Sequence, residues 1–476
     1  MVNLVNLENT IFYLFAPFIL FIFSLIVAIV GLFKKYLVAK ILSYISLLLA
    51  LITSIYFLSY SSALFLFNGK IIIDKFSLIV WIALIIGAFF SLSSMENDLI
   101  SREALPLLLL SLSLALIAII SRDLLILFLA VEGSILPTYA LVAQFKKEPF
   151  SLEATVKYFI FGILATLLFA YGITVIFGNL GSTSFAIISD KIPNSNLLLS
   201  VLGFILIILS LGIKSTLVPL HTWAIDTYQG APTSITVFLS TTSKILGISV
   251  IALLITGPFS GLYKFTTIYY ILVAFALLTL VVPNIAALIQ RDLKRLLAYS
   301  SIAHAGYMSL IFVFPFQTIY ILGYYLITYS IAKSVSFMVV KIISGEGSYS
   351  SYDSLRGLFK SNPLIAFAFS ISLLSLAGIP PFAGFMAKFL LFLSTALSSS
   401  VGISLALIAL IMSGVSVYYY VIVIRFASSK SLGNGNEKLL NLSFEKYLFL
   451  ILSIVLLIVL TFFPNYFFVS IPIISP

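Results

Sequence analysis

The sequence predicts an all-α, polytopic membrane protein of about fourteen transmembrane helices, on three observations. Hydrophobic residues fill 62% of its 476 positions and charged residues 9%, a balance that no soluble fold can hide from water. Apolar stretches of roughly 20 residues, the length that crosses a hydrocarbon core of about 30 Å, recur along the chain. Charged or Pro/Gly-rich breaks separate them. Cysteine is absent, which excludes disulfides, iron–sulfur ligation and zinc-thiolate sites within this chain.

Cut at those breaks, the chain gives spans at 11–33, 39–59, 76–95, 104–121, 123–143, 154–178, 197–218, 232–256, 266–289, 296–314, 318–343, a broken pair at 363–379 and 381–398, then 401–424 and 446–463. The first is too long for a signal h-region and lacks a small-residue cleavage site, so it reads as a retained span. An even count puts both termini on one side. Of 26 Lys and Arg residues, seventeen fall in loops after odd-numbered spans, among them Lys34, Lys35, Arg102, Lys146, Lys147, Lys157, Arg291, Lys294, Arg295, Lys341 and Lys438. Loops after even-numbered spans hold five: Lys70, Lys75, Arg122, Lys191 and Lys264. That bias predicts a multi-pass chain of the cell membrane with the odd loops cytoplasmic and both termini outside. The net charge of +10 then reads as loop bias and not as affinity for nucleic acid.

Four basic residues remain, Lys214, Lys244, Lys333 and Lys388, each flanked by long apolar runs. Of sixteen acids only Glu132, in LLILFLAVEGSILPTYALVA, sits likewise. A charge at mid-bilayer costs about 2.5 to 3.5 kcal/mol even on the lenient insertion scale, so the five need partners, water or a changed protonation state. Snorkelling to a helix end is the competing account for any one lysine, Lys333 and Lys388 above all.

Two spans carry breaks. The seventh reads LGFILIILSLGIKSTLVPLHTWAIDTYQGAP, with Pro219 five residues after Lys214. The twelfth reads ISLLSLAGIPPFAGFMAKFLLF, where Gly378, Pro380, Pro381 and Gly384 precede Lys388. Proline removes a backbone donor and clashes one turn back, so both helices should break. Interrupted segments in corresponding positions mark transporters built from inverted repeats. The predicted organisation is one membrane domain, 1–476: three N-terminal helices over 1–103, a first five-helix repeat over 104–256, a second over 257–425 and a C-terminal helix over 426–476.

A proton path needs groups that lose and regain a proton near neutral pH. Burial penalises a lysine's charged form and a nearby carboxylate restores it, so Glu132 with Lys214 is the natural switching pair. Lys244, in VFLSTTSKILGIS, has hydroxyls at Ser240, Thr241 and Ser243 for company. His304, in YSSIAHAGYM, titrates near neutrality by nature and is placed to link two halves. His221, beside Pro219 and Trp223, reads as structural. Asp226 and Asp292 sit at cytoplasmic edges, where Arg291 or Arg295 would fix loop geometry. No metal cluster, phosphate-cradling loop or nucleophile triad is legible in the sequence.

EATVKYFIFG at 153–162, VPLHTWAIDTYQGAPT at 218–233, FLSTTSKI at 238–245, NIAALIQRDLKRLLAYSSIAHAGYM at 284–308 and LAGIPPFAGFMAKF at 376–389 resemble the antiporter-like membrane subunits of respiratory complex I. The DTYQGAPT run at 226–233 is similar to the N-type subunits of NADH-quinone oxidoreductase. The resemblance implies fourteen helices, two inverted five-helix repeats and a polar axis along the membrane plane. It makes Glu132 the helix-five carboxylate, Lys214 its helix-seven partner, Lys244 the connecting lysine, Lys388 the exit-side lysine and His304 a relay histidine. Lys333, in TYSIAKSVSF, looks more like a lysine of L-type subunits. The resemblance further implies no cofactor in this chain, with quinone and iron–sulfur clusters held by partner subunits, and a proton-translocating role driven by electron transfer there. A subunit of a sodium/proton antiporter or membrane-bound hydrogenase is the alternative. A stand-alone solute carrier is a third reading, whose midplane site would be lined by groups complementary to a substrate.

Overall fold

The computed structural model describes residues 13–59, 63–96, 99, 103–144, 148–347, 349–430 and 442–469. A helix lies at every predicted span. In order they are α1 (Phe15–Leu32), α2 (Tyr36–Leu58), α3 (Lys75–Ser94), α4 (Ala104–Ile120), α5 (Leu124–Val142) and α6 (Pro149–Leu180). There follow α7 (Leu197–Ser215), α8 (Thr222–Gly230), α9 (Thr233–Thr256), α10 (Thr266–Leu288), α11 (Leu293–Val313) and α12 (Leu322–Ser344). The last are α13 (Pro363–Ala377), α14 (Ala383–Ser398), α15 (Ser400–Ser428) and α16 (Phe444–Val459). The start of the first span and Arg102, Lys146, Lys147 and Lys438 lie outside the described residues.

The fold is all-α, as expected, with one short addition: Leu64–Leu66 (β1) and Ile71–Ile73 (β2) pair antiparallel as a hairpin between α2 and α3. Its turn runs through Phe67, Asn68 and Gly69, all at positive φ. An Asn-Gly pair between apolar runs is the strongest short hairpin signal, and it stands in the sequence at 68–69.

Several acids that the sequence places between spans are helix caps. Asp74 and Ser77 form a reciprocal capping box at the start of α3. The Asp123 carboxylate accepts the backbone amides of Leu125 and Ile126 at α5, and that of Asp292 accepts the amide of Arg295 at α11. Asp74 also receives Arg122 at 2.9 Å, with both side chains almost fully buried. Arg122, expected in a loop, therefore ties the cap of α3 to the turn between α4 and α5.

Burial separates the helices into two kinds. α3, α9, α11 and the helix ending at Ser344 are enclosed nearly all round, whereas α1, α2, α6, α10, α15 and α16 leave most of their surface outward. Exposed Phe18, Leu25, Ile52, Ile160, Leu410 and Ile451 are what a lipid-facing side requires. Three of the four enclosed helices, α9, α11 and α12, carry Lys244, His304 and Lys333.

Candidate functional site

Lys214 occupies the last turn of α7, where the helix stops at Thr216 in the left-handed region and the Val218–Pro219 bond is cis. Backbone groups at the break are satisfied by neighbouring side chains: Ile213 O accepts from Trp223 Nε1 at 3.0 Å, and Val218 N donates to Thr279 Oγ1 at 3.0 Å. Lys214 Nζ is left to reach across to α5, where it meets Glu132 Oε1 at 2.8 Å. The second oxygen of Glu132 accepts from Thr166 Oγ1 on α6 at 2.7 Å. Both side chains are largely buried, at 6% and 13% exposure, so this ion pair stands in a low-dielectric setting. A small cavity beside it is lined by Tyr139, Tyr158, Lys214, Trp223 and Ser243.

Ser243 leads to Lys244. A π-helical turn at Leu239–Ser243 interrupts α9 just before this lysine, a distortion that recurs at functional sites. Gly247 brings α9 against α7, since a Cβ there would lie 2.4 Å from Ser215 Oγ. Lys244 Nζ is buried and has no hydrogen-bond partner among the described residues. The hydroxyls expected to serve it do not. Ser240 and Thr241 both turn back to Val237 O of their own helix, which is the usual resort of hydroxyls in apolar helices. His221, expected to be structural, occupies the N-cap position of α8 without a side-chain capping bond and lies within electrostatic reach of Lys244.

His304 sits on α11 within electrostatic reach of Lys244, Lys333 and Lys388 together. Its Nδ1 is 3.0 Å from Tyr325 Oη. Tyr325, Thr328 and Tyr329 of α12 line a second small cavity with His304, Ser375 and Gly384, at the edge of the second helix break. Lys333 is fully buried and donates to Leu297 O at 2.6 Å and to Ser300 Oγ at 2.8 Å. Ser300 in turn bonds Tyr420.

The second break repeats the devices of the first. α13 ends at Gly378, φ +84°, and the Pro380–Pro381 bond is cis. Here the lysine itself takes the freed carbonyl: Lys388 Nζ donates to Ala377 O and to Ser413 Oγ, each at 3.0 Å. It also lies 4.5 Å from the centroid of the Tyr307 ring. Lys388 is 3% exposed and Lys333 is not exposed at all, so neither snorkels.

At the edges, Asp226 receives Arg295 at 3.1 Å and Lys157 at 2.6 Å, while Asp292 bonds the amides of Ser350 and Arg295 and no arginine side chain. Lys294 and Lys341, which the sequence places in loops, lie within α11 and α12 and are buried. Thr166, Ser300, Ser413 and Tyr325 hold or flank the charges and carry no signal of their own, because such residues are ordinary in membrane helices. No group of three or more His, Cys, Asp or Glu able to hold a metal ion occurs among the described residues.

The sequence-family description "NADH:quinone oxidoreductase/Mrp antiporter, TM" matches residues 121–416. NADH-quinone oxidoreductase subunit N of Cytophaga hutchinsonii is 37% identical over 347 residues, 72% of this chain and 74% of that one. Subunit N 2 of Thermodesulfovibrio yellowstonii is 38% identical over 409 residues, 83% and 87% of the two chains. A chain of respiratory complex I from Thermus thermophilus with bound aureothin superposes with a TM-score of 0.81 at 30% identity, covering 94% of this chain and 97% of that chain. A chain of the Mrp complex from a Dietzia species shares the fold, with a TM-score of 0.83 at 19% identity, covering 96% and 95%.

Proposed function

The chain belongs to the NADH:quinone oxidoreductase/Mrp antiporter membrane family, and from that premise we propose that Glu132, Lys214, Lys244, His304, Lys333 and Lys388 form a proton relay through it. It is a multi-pass membrane subunit of a larger complex, in which the electron-transfer chemistry belongs to other subunits. The observation that carries the relay reading is the Glu132–Lys214 pair, 2.8 Å long and buried beside a helix break. While paired, the carboxylate favours the ammonium and Lys214 holds its proton. If the pair opens, burial disfavours the ammonium and the proton is released toward Ser243 and Lys244.

Beyond Lys244 the groups run through His304 and Lys333 to Lys388 at the second break. Neutral partners, a carbonyl and a hydroxyl, hold each of the last two lysines, so their protons are governed by neighbouring charges and not by a bound carboxylate. The repeated lysine beside a helix break supports two inverted repeats over 104–256 and 257–425. A subunit of a sodium/proton antiporter or membrane-bound hydrogenase stays the second reading, because a chain of the Mrp complex shares this fold.

The test is Lys214→Ala and, separately, Glu132→Ala in the complex reconstituted into vesicles. Both are expected to lower proton translocation strongly while quinone-reducing assemblies persist. Wild-type translocation in the two variants removes the pair from the mechanism.

A further inference from the structure

The relay begins nowhere obvious. Its six groups are buried, and a proton must reach them from a solvent-facing side. A second ion cluster lies where α3 and α12 end and α9 begins. Lys341, in the last turn of α12 and 2% exposed, is bonded by Glu96, which is 57% exposed, just past the end of α3. Lys341 is also 3.5 Å from Glu346, at 11% exposure. A wet carboxylate, a buried ammonium and a nearly buried carboxylate are thus in series.

Glu346 closes the series onto the helix that carries Lys244. Its two oxygens accept Ser234 Oγ at 2.8 Å and Ser234 N at 3.1 Å, in the first turn of α9, where the helix dipole favours a carboxylate. Lys294 Nζ pins the same loop, donating to Gly347 O and to Ala231 O. Nothing in the relay uses this cluster.

On α12, Phe337 stands between the cluster and Lys333. Lys341 and Lys333 are eight residues apart on α12, about 12 Å along its axis. Phe337 lies midway, one turn from each, and is fully buried. Its ring centroid is 5.2 Å from Lys333 Nζ and it meets Tyr228 edge-on. Phe337 offers no group that accepts or donates a proton, so a chain of hydrogen bonds along this face of α12 is interrupted there.

We propose that the Glu96–Lys341–Glu346 cluster takes up protons for the lysine row and that Phe337 is the barrier between the cluster and Lys333. The proposal rests on the relay reading above. The cluster lies beside loops that follow odd-numbered spans, the side that the basic-residue bias makes cytoplasmic.

The experiment uses the whole complex in sealed vesicles, with an imposed pH gradient followed by a pH-sensitive dye and no electron donor present. Phe337→Ala is expected to speed decay of the gradient about tenfold, the effect of lowering one barrier by a single decade. Phe337→Leu, which restores an apolar plug, is expected to hold the gradient as wild type does. Adding Glu346→Gln to Phe337→Ala should abolish the leak, because glutamine can accept Ser234 N–H through Oε1 and donate to Ser234 Oγ through Nε2, and cannot exchange the proton. During turnover, Glu346→Gln alone should lower proton translocation while quinone reduction persists.

A Phe337→Ala complex as tight as wild type overturns the barrier. A leak unchanged in the double variant, or full translocation in Glu346→Gln, leaves the cluster as a tie between the 345–347 loop and α9. Should Phe337→Ala fail to assemble, the turnover measurement on Glu346→Gln decides alone. The leak assay needs no turnover, so failure here with Lys214→Ala still inactive sinks the intake route only. Normal translocation in Lys214→Ala sinks the relay.

Discussion

Lys388 separates two meanings of a buried lysine. Its ammonium caps Ala377 O, the carbonyl freed where α13 ends, and so has a structural task as well as a proposed relay role. The two roles predict different losses. Lys388→Met keeps the bulk of the stem and removes one donor; Ser413 Oγ, 3.2 Å from Ala377 O, still pairs that carbonyl, so the cost is that of one hydrogen bond, about 0.5–1.5 kcal/mol. A relay lysine should lose most proton translocation in that variant, with only a modest fall in the thermal midpoint of the purified complex. Translocation at the wild-type level would make Lys388 a cap alone. Glu132 and the four lysines were legible in the sequence because a charge inside an apolar run has no ordinary explanation there. Lys294 and Lys341 were not, since each lies within a turn or so of a helix end and resembles a loop residue. Thr166, which holds the second oxygen of Glu132, was illegible for a different reason: a threonine in an apolar helix is commonplace until its neighbour is known.

At the scale of elements, the prolines announced both breaks, and the structure puts them within a few residues of the expected places. What the sequence hid was how the breaks hold their lysines. The second depends on Gly378, whose φ of +84° costs a side-chain-bearing residue about 1–2 kcal/mol. A Cβ there would also lie 2.8 Å from Lys388 Cδ. Gly378→Ala is therefore expected to displace Lys388 and to depress translocation together with the thermal midpoint, whereas Lys388→Met depresses chiefly the former. An unchanged translocation rate in Gly378→Ala would mean that the shape of this break does not set the position of the lysine. The β1–β2 hairpin shows the reverse case. Its Asn-Gly turn stands in the sequence, but three-residue strands are too short for period-two alternation to show against the long apolar spans on either side.

For the whole molecule, orientation and ion identity are the two properties that the relay reading stakes most on. The absence of cysteine makes the first directly measurable, because any introduced thiol is the only one in the chain. Lys430→Cys, after α15, and Lys70→Cys, in the hairpin turn, are both exposed and fall in loops of opposite parity. With both termini outside, an impermeant thiol reagent added to intact cells should label position 70 and spare position 430; the opposite pattern inverts the topology and moves the proposed intake cluster to the outer face. Ion identity follows from charge. A sodium ion moving along this axis would pass four buried amines, each of which repels it whenever it carries a proton, and Lys333 and Lys388 are held by neutral partners that cannot offset the repulsion. A proton faces no such obstacle, because it is the very charge the amines exchange. Turnover of the reconstituted complex in sodium-free buffer should therefore acidify the receiving compartment as fast as it does with sodium present. Acidification that needs sodium would favour the antiporter reading, and the lysines would then have to act by holding a cation site in place and not by passing charge.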